Sequence, residues 1–348
     1  MSVWCIVIAR DAVLRPVVHF AGRLGSRWVF VLRSMEVAVS ERQALKVLLA
    51  TPRGFCAGVQ RAVDTLNFLV KNFPSPIYVF HEIIHNESVV RSFQSRGVVF
   101  VDDLASVPSG SVLVFSAHGV GGAVVEVAKD RGMRIIDATC PLVEKVHAEV
   151  RRFHAAGRRV ILIGHRGHDE VQGTSGQVPG GVNVVSTAGE AARLKLEGPV
   201  GYVTQTTLSA ADVAEVVEVL KSRFPDIAGP PGGDVCYATE NRQRAVRSLC
   251  PLVDVVLVVG SSASSNANRL REVACEQGRA AYLLSDGRGL RTEWLTGAKI
   301  VGVTASASTP DGSVMDLLNA LGRFAAIEIS ALDARRENVR FAMPRFAG

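Results

Sequence analysis

From Lys46 onward, short apolar runs alternate with polar loops and amphipathic segments, and the alternation continues through most of the chain. The runs at 46–50, 77–80, 112–115, 133–136, 160–163, 202–203, 255–259 and 300–303 are short and mostly apolar, as strands covered on both faces must be. Between them the apolar period changes to that of a helix. Val143, Val146, Val150 and Phe153 predict a helix after residue 140, another begins near Val59, and a third runs from Arg242 to Leu249. Strand, loop and helix in this order predict an α/β fold with small, mostly parallel sheets.

Ligands of parallel α/β sheets bind at the carboxyl ends of strands. Here those ends carry small residues, hydroxyls and imidazoles: Ser116-Ala-His-Gly119, Gly164-His-Arg-Gly-His-Asp-Glu170, Thr204-Gln-Thr-Thr-Leu-Ser209, the stretch from Gly260 to Asn266, and Thr304-Ala-Ser-Ala-Ser308. Three units also place a cysteine where loop becomes helix. Cys56, Cys140 and Cys236 lie 84 and 96 residues apart, a domain-like interval. Pro141 suits a first helical position, and the helix dipole there favours a thiolate at Cys140. The recurrence predicts three pseudo-symmetric lobes, 45–140, 141–233 and 234–324, meeting at one centre. A charged tail, 325–348, follows. With 348 residues the chain is too long for one comfortable core. Gly229-Pro-Pro-Gly-Gly233 is the best linker candidate.

Residues 1–44 differ: six arginines, among them Arg10, Arg15, Arg23, Arg27 and Arg33, stand against Asp11, Glu36 and Glu41. Their apolar runs are shorter than the roughly 20 residues of a membrane span, and the segment does not lead with positive charge as a signal peptide would. We expect an N-terminal extension without a fixed fold, or a start placed upstream of the true one, with Met35 as the real start. An organelle transit peptide fits less well, because serine is sparse.

Composition narrows the function. The chain is 48% hydrophobic and 21% charged, with net charge +6, which suits an anionic substrate or acidic redox partner. Aromatics are 6% and interleave with no basic patch, so nucleic acid is not the expected partner, and no membrane is expected either. Six cysteines in so long a chain do not form a secreted disulfide framework. Cys250 and Cys275 fall in helical patterns and Cys5 in the leader, so none of these three is expected to be a ligand.

Any one of Cys56, Cys140 and Cys236, taken singly, reads as an ordinary buried thiol. Three in the same loop-to-helix context read as metal ligands. Structural zinc prefers local cysteine pairs. Three distant thiols suit an iron–sulfur cluster held by three lobes, with one iron left open. His85, His118 and His168 follow strands beside small or polar residues. A lone loop histidine is usually only solvated, whereas three together suggest a cationic pocket for an anion. His81, His147 and His165 are weaker candidates. His147 is expected to pack inside and His154 to lie on a helix surface. Glu170 reads either as a first-turn helix carboxylate or as a proton donor. Ser264-Ser-Asn266 and Ser308 read either as helix caps or as an anion site. No Walker loop and no GxGxxG follows a strand, so nucleotide binding lacks support.

Taken together, these motifs resemble the LytB/IspH family of 4-hydroxy-3-methylbut-2-enyl diphosphate reductases, from the non-mevalonate isoprenoid pathway. The likeness runs from about Lys46 to about Asp311. It is carried by Pro52-Arg-Gly-Phe-Cys-Ala-Gly58, His81-Glu-Ile-Ile-His-Asn86, Phe115-Ser-Ala-His-Gly119, Asp137-Ala-Thr-Cys-Pro141, Gly164-His-Arg-Gly-His168, Thr204-Gln-Thr-Thr-Leu-Ser209, Cys236-Tyr-Ala-Thr239, Ser264-Ser-Asn266 and Ala307-Ser308. Two features depart from it: the leader, and Asp169 where the family often has proline. The resemblance implies three α/β lobes around one [4Fe–4S] cluster per subunit, ligated by Cys56, Cys140 and Cys236. It implies that His85, His118, Ser264, Ser265, Asn266 and Ser308 hold the diphosphate, with His168 adding to the pocket. It implies that Thr206 and Thr207 orient the substrate hydroxyl and that Glu170 supplies a proton. Isopentenyl and dimethylallyl diphosphate would be the products. Ferredoxin or flavodoxin with its reductase would be the electron donor, and the location cytoplasmic. Two other readings remain at this level. A zinc-dependent hydrolase of a phosphorylated small molecule would be colourless, and a non-enzymatic iron–sulfur sensor would not need Glu170.

Overall fold

The computed structural model describes residues 17–24, 27–34, 44–332 and 337–344. The chain divides into two units, 1–43 and 44–348. In the first, Val17–Leu24 pairs antiparallel with Arg27–Ser34 from Val17 opposite Ser34 to Leu24 opposite Arg27. Most of what was expected to lack a fixed fold within 17–34 is therefore a hairpin. Cys5 and Met35 lie outside the described residues.

The second unit contains three parallel sheets, each flanked by helices. The first has the order Val98–Val101, Ile77–Phe80, Val112–Phe115, Arg134–Asp137. In the second, Arg159–Ile163 lies between Val200–Thr204 and Asn183–Val185. The third runs Ala280–Leu284, Val255–Val259, Ile300–Ala305, Ala44–Leu49, Ala326–Ala331. The three-lobed α/β architecture is thus as the apolar pattern predicts.

Strand Val255–Val259, inside the third sheet, shows why these strands read as unbroken apolar runs. Val255, Leu257 and Val259 join one core with Leu317, Leu318 and Leu321 of the helix Asp311–Phe324. Val256 and Val258 face the other way, onto Val246 and Leu249 of the helix Tyr237–Leu249 and Leu270 and Val273 of the helix Ser265–Glu276. Alternate residues point to opposite faces, so a strand covered on both sides needs apolar side chains throughout. Truncating Leu257 to alanine would cost about 2–5 kcal/mol.

Sheet membership departs from the expected lobe boundaries at both ends. Strand Ala44–Leu49 belongs to the third sheet, between Ile300–Ala305 and Ala326–Ala331, although the loop after it leads into the first lobe. The tail expected from residue 325 contributes that outer strand before it becomes irregular. Burial explains the first difference: Leu45 and Val47 fill the core beneath Leu321.

Candidate active site

Each of the three expected cysteines caps a helix. Cys56 precedes Ala57–Asn72, Cys140 precedes Pro141–Ala155 with proline in its first turn, and Cys236 precedes Tyr237–Leu249. The Cys56 Sγ accepts the Val59 N–H at 3.5 Å. The backbone N–H of each cysteine donates to a strand-end loop: Cys56 to Ala307 at 3.2 Å, Cys140 to Ala117 at 3.0 Å and Cys236 to Thr206 at 3.0 Å. Gly54, at φ +72°, makes the turn before Cys56 in a conformation that side chains rarely adopt. Gly58 leaves room for the thiols, since a Cβ there would lie 2.5 Å from the Cys140 Sγ and 3.9 Å from the Cys56 Sγ.

All thirteen residues expected at the site line one cavity of about 680 Å³, including its open side. The lining takes in the three thiols, His85, His118, His168, Glu170, Thr206, Thr207, Ser264, Ser265, Asn266 and Ser308. The imidazoles form a cluster. His85 and His118 stack with centroids 4.1 Å apart, and His168 meets them edge-on at 5.1 and 5.9 Å.

The hydroxyl wall is tied across lobes. Ser264 caps the helix Ser265–Glu276 by accepting the Ala267 N–H at 3.3 Å. The Ser308 hydroxyl reaches both the His85 carbonyl (3.2 Å) and the Ser264 hydroxyl (3.4 Å). Thr207 donates to Ser265 at 3.0 Å. Asn266 is buried with neither side-chain atom bonded, and the His85 Nε2 is likewise buried without a partner. Buried polar atoms left unpaired are costly, so these point to a polar ligand. Glu170 is almost wholly buried: its Oε1 accepts the Thr206 N–H at 2.6 Å and its Oε2 the Thr206 hydroxyl at 3.0 Å.

Comparison with known proteins gives this arrangement its relatives. Residues 47–322 match the family described as LytB protein. The chain belongs to the LytB family. It is 50% identical over 302 residues to 4-hydroxy-3-methylbut-2-enyl diphosphate reductase 2 of Bradyrhizobium diazoefficiens, covering 86% of this chain and 98% of that one. It is 49% identical to the corresponding reductase of Burkholderia pseudomallei, across 86% of this chain and 96% of the relative. The solved structure of the Plasmodium falciparum E-1-hydroxy-2-methyl-but-2-enyl-4-diphosphate reductase superposes with a TM-score of 0.81 at 36% identity, covering 87% of this chain and 96% of that one.

Two electrostatic expectations are altered in this LytB chain. The pocket was expected to be cationic. Instead, burial first, and then the neighbouring His85, His168 and His81, hold the His118 imidazole well below its usual range. Burial, with His85 and His165, brings His168 down to about 4. Without an anion these two rings are neutral donors and acceptors, and an entering anion would favour their charged forms. The helix mouth was also expected to favour a Cys140 thiolate. Burial outweighs it: Cys140 is pushed up to about 12, with Cys56 and Cys236 adding to the rise while the N–H groups of Leu142 and Val143 oppose it. Burial also raises Glu170 to about 7, against the pull of its two Thr206 hydrogen bonds.

Other expectations fall outside the cavity. His147 is buried on the helix after Cys140 and His154 is exposed, as expected. Cys250 is buried and Cys275 exposed, and neither lines the cavity. Sequence reading passed over Gln205, whose amide accepts the His165 N–H at 2.9 Å and donates to Thr207 at 2.9 Å. It also passed over Ser306, bonded to Ser308 and Thr309. Their signal was only adjacency to the chosen residues. Arg242 is buried beside the Cys56 loop, donating to the Gly54 carbonyl at 2.8 Å and pairing with Glu337 at 3.1 Å. Its place within a helical run concealed that role.

Proposed function

We propose that this chain is an iron–sulfur reductase that converts 4-hydroxy-3-methylbut-2-enyl diphosphate to isopentenyl and dimethylallyl diphosphate, the last step of the non-mevalonate pathway. The observation that carries this reading is the convergence in one cavity of three helix-capping thiols, a buried carboxyl and a polar wall in which the Asn266 amide and the His85 Nε2 are buried without hydrogen-bond partners. The donor set fits a cluster: three soft sulfurs, the hollow left by Gly58, and no further cysteine in the lining. Cys56, Cys140 and Cys236 would hold it, and a [4Fe–4S] cluster with three protein ligands supplies electrons while keeping one coordination position open.

Two electrons and two protons enter, the allylic C–O bond breaks, and the oxygen leaves as water. This chain's part is binding, orientation and protonation. The Asn266 amide, the Ser264, Ser265 and Ser308 hydroxyls, and His85 and His118 would hold the diphosphate, as charge-assisted hydrogen bonds favour. His168 would complete that wall. Thr207, held by Gln205 and Ser265, and Thr206 would orient the hydroxyl end. Glu170, raised to about 7 by burial, keeps its proton near neutrality and would pass it to the departing oxygen. Its contact with Thr206 supplies a hydroxyl relay toward the cavity.

A small electron-transfer protein, ferredoxin or flavodoxin with its reductase, would supply the electrons, and the cytoplasm is the natural location. No helix among the described residues is long and apolar enough to cross a membrane. An anaerobic assay with the allylic diphosphate and a reduced dye tests the reading. Brown protein containing iron and sulfide, and both five-carbon diphosphates as products, are expected. Colourless protein with stoichiometric zinc and no such products would overturn it in favour of a hydrolase.

A further inference from the structure

We propose that His85, His118 and Asp169 form a binding site for one divalent transition-metal cation on the histidine wall of the cavity. One ligand atom from each residue lies within 4.8 Å of the other two. The Asp169 Oδ2 is 3.8 Å from the His85 Nε2 and 3.9 Å from the His118 Nδ1. These separations are too long for hydrogen bonds. They are close to what a shared cation imposes. With bonds of about 2.0–2.1 Å, its ligands stand roughly 3 Å apart or slightly more, so the Asp169 oxygen needs to close on each ring nitrogen by roughly half an ångström or a little more, within a set of ligand atoms that spans no more than 4.8 Å.

The surroundings are those of a metal-binding histidine. The His85 Nδ1 lies 3.2 Å from the Glu82 Oε2. A carboxylate there accepts the Nδ1–H of a neutral ring and leaves the Nε2 with the lone pair, facing Asp169. Metal-binding histidines commonly give their other ring N–H to such a carboxylate. That same Nε2 is buried with no hydrogen-bond partner. The stacking of His85 on His118 keeps the two rings together. The backbone of Asp169 is fixed on either side, because His168 accepts the Glu170 N–H and Glu170 is tied to Thr206. The other Asp169 oxygen lies 4.0 Å from the His81 Nδ1, which is 3.3 Å from Asp102.

The donor set selects the ion. Two imidazoles and one carboxylate suit zinc, manganese or iron(II), whereas magnesium and calcium prefer oxygen. A carboxylate is also a poor neighbour for a diphosphate, and a cation is the partner that it does suit. The site shares His85 and His118 with the proposed diphosphate wall, so it is tested without substrate, and a failed turnover assay leaves the binding claim untouched.

The test is equilibrium dialysis of the cluster-loaded protein against Zn²⁺ under anaerobic conditions, with zinc, iron and sulfide counted afterwards. One zinc per chain beyond the cluster iron is expected, with iron unchanged. Asp169→Ala and His118→Ala should each bind zinc more than about tenfold more weakly, and Asp169→Asn should bind more weakly than the parent while preserving shape. Absence of zinc from the parent protein, equal affinity in Asp169→Ala, or zinc uptake matched by iron loss would overturn the proposal.

Discussion

The thiols and the polar groups share one cavity, yet they are held there in different ways. The thiols repeat a single device. Each caps a helix, and each backbone N–H is anchored on a strand-end loop. The polar wall has no repeated device. It is a set of unlike side chains tied by cross-lobe hydrogen bonds such as Ser308 to the His85 carbonyl and Thr207 to Ser265. The anchors also join the two sets: Ala117 and Ala307, which receive Cys140 and Cys56, immediately precede His118 and Ser308. A device used three times around one object should fail as a whole. A wall of separate donors should weaken by degrees.

The largest effect should therefore come from a thiol. Cys140→Ser is expected to lose or destabilise the cluster and to reduce turnover to background, checked by iron and sulfide analysis. A stable, full cluster in that variant would break the distinction. Next comes Glu170→Gln, which should keep cluster and substrate affinity while kcat falls by roughly 10²–10⁴. The parent's pH profile belongs with it. Burial raises Glu170 from the ordinary 4.5 to about 7, so the proposed donor is protonated below 7 and kcat should fall as pH rises past it. The glutamine variant should lose that falling limb. The same shift bears on stability: the folded state holds this proton more tightly than the unfolded chain. The group's contribution is thus greatest below about pH 4.5 and is lost as pH rises to about 7.

Gly58→Ala sharpens the comparison from the thiol side. It adds a methyl 2.5 Å from the Cys140 Sγ without replacing a cysteine, so iron content should fall while far-ultraviolet circular dichroism is retained. Asn266→Ala, on the polar side, should raise KM roughly tenfold with cluster content unchanged, as loss of a hydrogen bond to a charged group predicts. Ser264→Ala should be mildest: a few-fold rise in KM and about 1 kcal/mol of stability from the lost cap, read by denaturant titration.

The same contrast explains what was legible in the sequence. The thiol positions could be read because apolar strand, small-residue turn and amphipathic helix are local patterns, and Pro141 and Gly54 mark the turns. The polar wall was legible as a set of strand ends, but its assignments came from resemblance, since a serine that caps a helix and one that binds an anion look alike in sequence. Gln205 and Ser306 were missed because a buried connector has no local signature. The electrostatic signs at Cys140 and His118 were missed because burial depends on lobes distant in the chain. The sheet assignment of Ala44–Leu49 was hidden for the same reason, as its partners lie more than 250 residues away.

That strand carries a consequence for biosynthesis. Its two hydrogen-bonded neighbours are made more than 250 residues after it, so its edges stay open until those strands have been synthesised. The turn that presents Cys56 is pinned to the same late region, through Gly54 to Ala305 and Cys56 to Ala307. On the proposed reading, Cys56 acquires its seat as a ligand only after residues 305–307 have been made, so delivery of iron and sulfide would follow their synthesis.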